Sequence, residues 1–116
     1  MRDISSFSEI YFYQAPVDMR KQINGLTIVI EQEMKLSPLT GALFIFLNQG
    51  GTIIKFIYWD KTGFAVWGKR LEKDRYSRPS VRHGILHFTS AHLQDLLRGL
   101  DIFKGGHKEL HYKKIC

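Results

Sequence analysis

Three consecutive apolar segments between residues 42 and 72 constrain the fold more than any other part of the chain. The stretches ALFIFLN, TIIKFIYWD and FAVWGKRLE are rich in β-branched and aromatic residues, and the turns QGG and DKTG separate them. Short apolar runs joined by glycine-containing turns are typical of β-hairpins. We therefore predict an antiparallel meander of three strands.

Both faces of the predicted middle strand are apolar. One face carries Ile53, Ile57 and Trp59 with Lys55 beside them, and the other carries Ile54, Phe56 and Tyr58. An antiparallel sheet with one face in water instead alternates apolar and polar side chains. We expect the second face of this sheet to be covered by a helix, by another subunit or by a ligand.

The segments around the meander predict two more strands and two helices. IYFY (10–13) and ILHF (85–88) have the composition of short strands. A first helix is predicted to begin near Met19 with Asp18 as its N-cap, and a second to begin at the N-cap Ser90. The apolar stripes of these helices are Met19, Ile23, Leu26, Ile30 and Met34, then Leu93, Leu96, Leu97 and Leu100. The expected class is α+β, an antiparallel β-meander sheet packed with two helices, in the order strand, helix, three-strand meander, strand, helix.

The length and composition indicate one folded domain. A chain of 116 residues that is 44% hydrophobic can bury a substantial core. We expect residues 1–103 to form the domain and the basic stretch 104–116 to be a flexible tail. The single cysteine, Cys116, excludes an intrachain disulfide, and the opening residues lack an apolar core of signal-peptide length. No apolar run is long enough for a transmembrane helix, so we expect a cytoplasmic protein without a membrane partner.

No residue pattern indicates catalysis. The carboxylates are scattered, whereas metal-dependent phosphoryl transfer needs several acids around two cations. No glycine-flanked serine of the nucleophile-elbow type occurs. The pairs His83/His87 and His107/His111 have a spacing that two ligands of one metal can have, and Cys116 follows the second pair, but surface histidines are the favoured interpretation. We expect no enzymatic activity, no cofactor and no metal.

The basic residues are the strongest functional signal in the composition. A net charge of +6 and a pI near 9.6 favour a polyanionic partner, which is DNA, RNA or an acidic protein. The candidates for phosphate contact are Arg20, Lys21, Lys55, Lys69, Arg70, Arg75, Arg78 and Arg82. Solvated strand faces and a charged loop explain these residues equally well, because no zinc-finger or helix-turn-helix pattern accompanies them.

An ordered set of motifs resembles a known family. The segments are VDMRKQINGL, LFIF, IKFIYWDKTGFAVWGKRLE and LQDLLRGLDI. In this order they resemble the TnpB or Orf2-like accessory proteins of insertion-sequence family sixty-six of bacterial transposable elements. The matching positions are Asp18, Met19, Arg20, Lys21, Gly25, Leu26, Lys55, Trp59, Asp60, Gly63, Lys69, Arg70, Leu71 and Glu72. The chain departs from the family pattern around Asp74, where a glycine is usual, and at Arg78, where a tryptophan precedes the proline.

The resemblance implies a role in DNA transposition beside a separate, larger transposase that carries the acidic catalytic residues. It implies no catalytic residue in this chain, and it makes the DNA of the element ends and the transposase the expected partners. Five of the phosphate-contact candidates are also family positions, namely Arg20, Lys21, Lys55, Lys69 and Arg70. The alternative is a protein-interaction module that forms a homo-oligomer through the apolar sheet face, without direct DNA contact.

Overall fold

A six-stranded mixed sheet forms the centre of the computed structural model, which describes residues 2–103 and the backbone of 111–113. The strands are β1 (Ile10–Tyr13), β2 (Leu43–Leu47), β3 (Ile53–Asp60), β4 (Gly63–Arg70), β5 (Ile85–Phe88) and β6 (His111–Lys113). The order across the sheet is β4-β3-β2-β1-β5-β6. The two helices are α1 (Ile23–Ile28) and α2 (Ser90–Leu97). The predicted α+β class is therefore confirmed, and all five predicted strands are present.

The pairing of β1 differs from the prediction. Strands β2, β3 and β4 pair antiparallel in sequence order, which confirms the meander. The prediction of a purely antiparallel sheet is wrong, because β1 lies parallel to β2, with Ile10 opposite Leu43. On its other side β1 pairs antiparallel with β5, with Ile10 opposite Phe88. Local turn signals reveal hairpins, but they carry no information about pairing partners this distant in the chain.

A helix covers each face of the sheet over its middle strands. On one face, Phe12, Ile45 and Phe56 belong to a buried cluster that includes Leu93 and Leu96 of α2. On the other face, the buried sheet residues are Phe44, Phe46, Ile57 and Ile85, and they cluster with Leu26, Val29, Ile30 and Met34. Of the three covers expected for the second face, the chain's own helix is the one observed there.

The first helix begins later than predicted. Helix α1 starts at Ile23 and continues as a π-helical turn over Val29–Glu33. The predicted N-cap role of Asp18 is wrong, because the residue before the helix is Gln22. The later part of the predicted stripe is buried as expected, whereas Ile23 is 38% exposed.

A capping box begins the second helix. The Thr89 hydroxyl accepts a hydrogen bond from the His92 N–H at 3.1 Å, and the Thr89 N–H donates to His92 Nδ1 at 3.0 Å. The predicted N-cap Ser90 is therefore displaced by one position. The helix ends at Leu97, so the prediction of Leu100 as part of its apolar stripe is wrong: Leu100 lies beyond Gly99 and is 46% exposed.

Part of the basic C-terminal stretch adds a strand to the edge of the sheet. Strand β6 pairs antiparallel with β5, and Ile85 lies opposite Lys113. Residues 104–110 and 114–116 lie outside the described residues, so the flexible tail and the domain boundary at residue 103 stay predictions. Within the described ranges, no helix has the length and apolar character needed to cross a membrane.

Candidate nucleic-acid interface

All eight sequence-predicted basic residues lie at one end of the sheet. Strands β1, β2 and β4 end there and strands β3 and β5 begin there, as their pairings require. The turn after β1, the β2–β3 turn and the loop between β4 and β5 all project from this end. We call it the basic end, and its cations are Arg20, Lys21, Lys55, Lys69, Arg70, Arg75, Arg78 and Arg82.

A tight turn after β1 carries the first two of these cations. Asp18 Oδ1 accepts a hydrogen bond from the Arg20 N–H at 2.9 Å, and the Lys21 N–H donates to the Asp18 carbonyl at 3.0 Å. The same carboxylate pairs with the Arg20 guanidinium, with 2.6 Å between Nη2 and Oδ2. Hydrogen bonds from Arg20 hold the pKa of Asp18 well below its usual range. Asp18 therefore shapes the turn and orients Arg20, instead of capping a helix.

Lys55 attaches this turn to the sheet. Its Nζ atom donates to the Met19 carbonyl at 2.8 Å and to the Lys21 carbonyl at 3.1 Å. An ammonium group has three donors, so one remains for another partner. Sequence reasoning treated Lys55 as a phosphate contact and missed this anchoring role, because nothing in the local sequence pairs β3 with residues 19–21.

The turn, β3 and β4 line one open depression of about 510 Å³. Its lining residues are Asp18, Met19, Arg20, Ile53, Lys55, Gly68, Lys69 and Arg70. We call it the basic depression. Gly68 lies opposite Lys55 in the β-ladder, and a Cβ at this position would lie 3.4 Å from Lys55 Cγ. Because Gly68 has no side chain, the basic depression stays open at this position. A glycine inside a strand is the sequence signal that could have identified the depression.

Two smaller depressions continue from the basic depression across the same end of the sheet. The first shares Asp18 with it and reaches Asn48 in the β2–β3 turn. The next also includes Asn48 and is lined by Arg78 and Arg82. Because neighbouring depressions share lining residues, we call the three of them the track; Arg20, Lys69 and Arg70 line its first depression, and Arg78 and Arg82 line its last.

The loop between β4 and β5 holds three arginines close together. Burial lowers the pKa of Arg78, and the nearby charges of Arg82 and Arg75 lower it further, although arginine stays protonated. The Tyr76 N–H donates to the Gly51 carbonyl at 2.8 Å, and the Tyr76 side chain is only 3% exposed. The loop is therefore fixed to the β2–β3 turn and to the core.

The aromatic residues of the β3–β4 hairpin pack mainly within the protein. Trp67 stacks on Phe56, with ring centroids 4.9 Å apart. Trp59 contacts Phe64 edge-on at 5.0 Å. These rings contribute to packing between neighbouring strands. What the hairpin adds to the basic end is the pair of cations at the end of β4.

The first histidine pair, His83 and His87, does not gather a ligand set among the described residues. His83 is exposed, while His87 pairs with Glu9 and stacks on Tyr11 with centroids 5.1 Å apart. Among the side chains that the structure describes, no group of three or more His, Cys, Asp or Glu could hold a metal ion. The second histidine pair and the terminal cysteine lie outside these side chains.

Comparison with known proteins identifies the family. The chain matches the family described as "IS66 Orf2 like protein" over residues 8–106. It is 36% identical over 84 residues to "Uncharacterized protein y4hO" of Sinorhizobium fredii strain NGR234, a match covering 72% of this chain and 73% of that protein. It is 33% identical over 86 residues to "Uncharacterized protein y4jC" of the same organism, covering 74% of each chain. No solved structure matches. The chain belongs to the IS66 Orf2-like family, which is associated with the transposition of insertion sequences.

Proposed function

We propose that this protein is a non-catalytic accessory factor in the transposition of a bacterial insertion sequence, and that its basic end binds the DNA of the element ends. The observation that carries the proposal is the convergence of family-matching cations from separate segments. Arg20 follows β1, while Lys69 and Arg70 end β4, and all three line the basic depression. The chemistry of strand cleavage and transfer belongs to the separate transposase.

The arrangement favours contacts to the DNA backbone over the reading of base edges. The cations lie on turns, on a strand end and on a loop, along the track of depressions described above. Cations in such positions contact phosphates, which positions a protein on DNA without specifying sequence. The buried face of α2 packs on the sheet through Leu93 and Leu96. In this proposal, sequence selection at the element ends comes from the transposase.

Protein interaction is a second candidate function. The sequence favours it through the apolar second face of the sheet, but α1 with its π-helical turn covers much of that face. Exposed apolar side chains remain elsewhere, with Ile28 at 51%, Leu39 at 57% and Val66 at 41% exposure. Such residues suit contact with the transposase or with a second copy of the chain. Sedimentation of the purified protein, alone and mixed with the transposase, tests this function.

A gel-shift titration on duplexes from the element ends tests the DNA proposal. The wild-type protein is expected to bind at low salt and to lose affinity steeply as salt rises. The double variant Lys69→Gln/Arg70→Gln removes two cations of the basic depression. We expect it to bind about tenfold more weakly and to reduce the slope of log K against log salt by about two.

The matched control is Lys35→Gln/Lys61→Gln, which removes the same net charge. Lys35 follows the first helix and Lys61 lies in the β3–β4 turn, and neither lines the track of depressions. We expect this variant to bind within about twofold of wild type, because screening limits the influence of distant surface charges. Absence of a shift by the wild-type protein at low salt would sink the DNA proposal and leave protein interaction.

A further inference from the structure

Arg75 and Arg78 approach each other over Gly51. A Cβ at Gly51 would lie 3.3 Å from Arg78 Cδ and 3.6 Å from Arg75 Cβ. Gly51 has φ +75°, a conformation that glycine adopts without strain. Arg78 and Arg82 line one narrow cavity of about 10 Å³. Arg78 therefore has Arg75 on one side and Arg82 on the other, and the three arginines lie next to one another beside the β2–β3 turn.

Arg78 has no charged partner in the described part of the chain. Its Nη1 atom is buried and makes no hydrogen bond. Ion pairs join Asp18 to Arg20, Glu9 to His87 and Asp95 to Arg98, and none of these pairs uses Arg75, Arg78 or Arg82. The loop also carries the carboxylates Glu72 and Asp74, but neither forms an ion pair with these arginines.

This arrangement is unfavourable without an anion. A buried guanidinium atom without a hydrogen-bond partner carries a desolvation cost, and like charges at short range repel. A tetrahedral oxyanion offsets both effects, because its oxygens accept several charge-assisted hydrogen bonds from guanidinium groups. Phosphate is such an oxyanion, and its oxygens match the fork geometry of guanidinium groups.

The loop is also held in place before any ligand arrives. The Ser77 hydroxyl donates to the Leu100 carbonyl at 3.1 Å, and Arg82 Nε donates to the Pro79 carbonyl at 3.2 Å. With the Tyr76 N–H bonded to Gly51, the Ser77 contact ties the loop to two other parts of the fold, while the Arg82 contact lies within the loop. A site that is ordered in advance loses less conformational entropy on binding.

We propose that Arg75, Arg78 and Arg82 form a phosphate-binding site, separate from the basic depression. The site itself follows from the geometry of the loop, and the proposal that it holds a DNA backbone phosphate rests on the proposed function. The site distinguishes this chain from the family pattern, because Arg78 stands where a tryptophan is usual. It provides an additional phosphate contact at the end of the track that is farther from the basic depression.

Inorganic phosphate is the probe for the site. Amide spectra of the full-length ¹⁵N-labelled protein are recorded as phosphate replaces chloride at constant ionic strength. We expect saturable shifts at Gly51 and at residues 75–82, and no saturable shift on Lys69 and Arg70. If the wild-type protein shows no saturable shift around Gly51, the proposal is overturned.

Two variants with different effects on packing keep this test independent of folding. Arg78→Trp introduces the residue usual in the family, and Arg75→Gln/Arg82→Gln changes two exposed side chains. We expect each to bind phosphate at least tenfold more weakly, while Lys69→Gln/Arg70→Gln binds it as wild type does. Undiminished phosphate binding by the loop variants would refute the assignment of these arginines.

The DNA titration distinguishes a backbone phosphate from free phosphate as the ligand. Arg75→Gln/Arg82→Gln is expected to reduce the salt slope of DNA binding by about one to two, as the loss of one or two phosphate contacts requires. If this variant loses phosphate binding but keeps the wild-type salt slope of DNA binding, the site does not hold a DNA backbone phosphate. If phosphate binds but the wild-type protein does not shift DNA, the proposed function fails and the phosphate site stands.

Discussion

At the scale of the residue, Asp74 occupies a backbone conformation that favours glycine. Its φ angle is +64°, in the left-handed region. The family pattern usually has a glycine around this position, and the chain departs from it here. A glycine would adopt this φ angle without strain at the point where the chain runs from the end of β4 to the buried Tyr76. The sequence alone shows that a glycine is absent here. Only the structure shows the φ angle at which a glycine would be favourable.

Replacement of Asp74 by glycine is expected to stabilise the protein. Glycine reaches φ +64° without a Cβ clash, and part of this gain is offset by its greater freedom in the unfolded chain. We expect Asp74→Gly to raise the free energy of unfolding by about 0.5–1 kcal/mol, measured by urea denaturation. Asp74→Ala removes the same charge but keeps a Cβ, so equal stabilisation by both variants would refute the backbone explanation.

Removal of the Lys55 ammonium is expected to loosen the turn after β1. Lys55→Met keeps the apolar stem but loses the two hydrogen bonds to the Met19 and Lys21 carbonyls. We expect the free energy of unfolding to fall by about 1–2 kcal/mol. The loss is sizeable because the donor is charged, and it is limited because water can hydrogen-bond to the two carbonyls in its place. The control Lys69→Met makes the same change on β4, and a surface substitution there is expected to cost less than about 0.5 kcal/mol. Equal losses would argue against an anchoring role for Lys55.

At the scale of the element, hairpins were predictable and the ends of the helices were not. The strand pattern and the turns QGG and DKTG place β2, β3 and β4 because neighbouring strands are joined by local turns. The start of α1 was predicted wrongly because an aspartate at this position can either cap a helix or stabilise a tight turn. The contacts of Asp18 with Arg20 stabilise the turn. Helical periodicity also continues through a π-helical turn without a clear change in pattern.

The capping box of α2 gives an element-scale prediction. Thr89→Ala removes the hydroxyl that accepts the His92 N–H, at the start of a helix of only eight residues. We expect a loss of about 1 kcal/mol in the free energy of unfolding, together with earlier amide exchange in α2. Thr62→Ala in the exposed β3–β4 turn is the control, with a change expected below about 0.5 kcal/mol. If the two variants lose the same free energy of unfolding, the capping hydrogen bond does not measurably stabilise the protein.

At the scale of the whole molecule, the candidate site depends on topology. The sequence alone identifies all eight basic residues as candidates. Whether they lie together at one end of the sheet depends on the position of β1 between β2 and β5. The loop at 71–84 follows β4 directly, whereas the turn at Asp18 lies at the same end because β1 runs parallel to β2 and pairs with β5. A prediction from local patterns cannot supply this order, because it is set by packing of both sheet faces.

A truncation tests the proposed domain boundary. Both buried clusters are formed by residues up to Phe103, so residues 1–103 are expected to fold cooperatively without the rest of the chain. Loss of the β5–β6 pairing should lower the free energy of unfolding by no more than about 3 kcal/mol. Thermal and urea unfolding followed by circular dichroism measure this, with the full chain as reference. A broad, non-cooperative transition would show that the C-terminal stretch is part of the domain.

The position of β1 also determines when the basic end can assemble. The β2–β3–β4 hairpins close over short loops, whereas pairing of Ile10 with Phe88 must wait for most of the chain and closes a long loop. The turn after β1 and the loop before β5 reach each other only when that pairing forms. We expect a chain still emerging from the ribosome to have its hairpins but no complete basic end. Any function that needs the complete basic end therefore begins only after synthesis has passed β5.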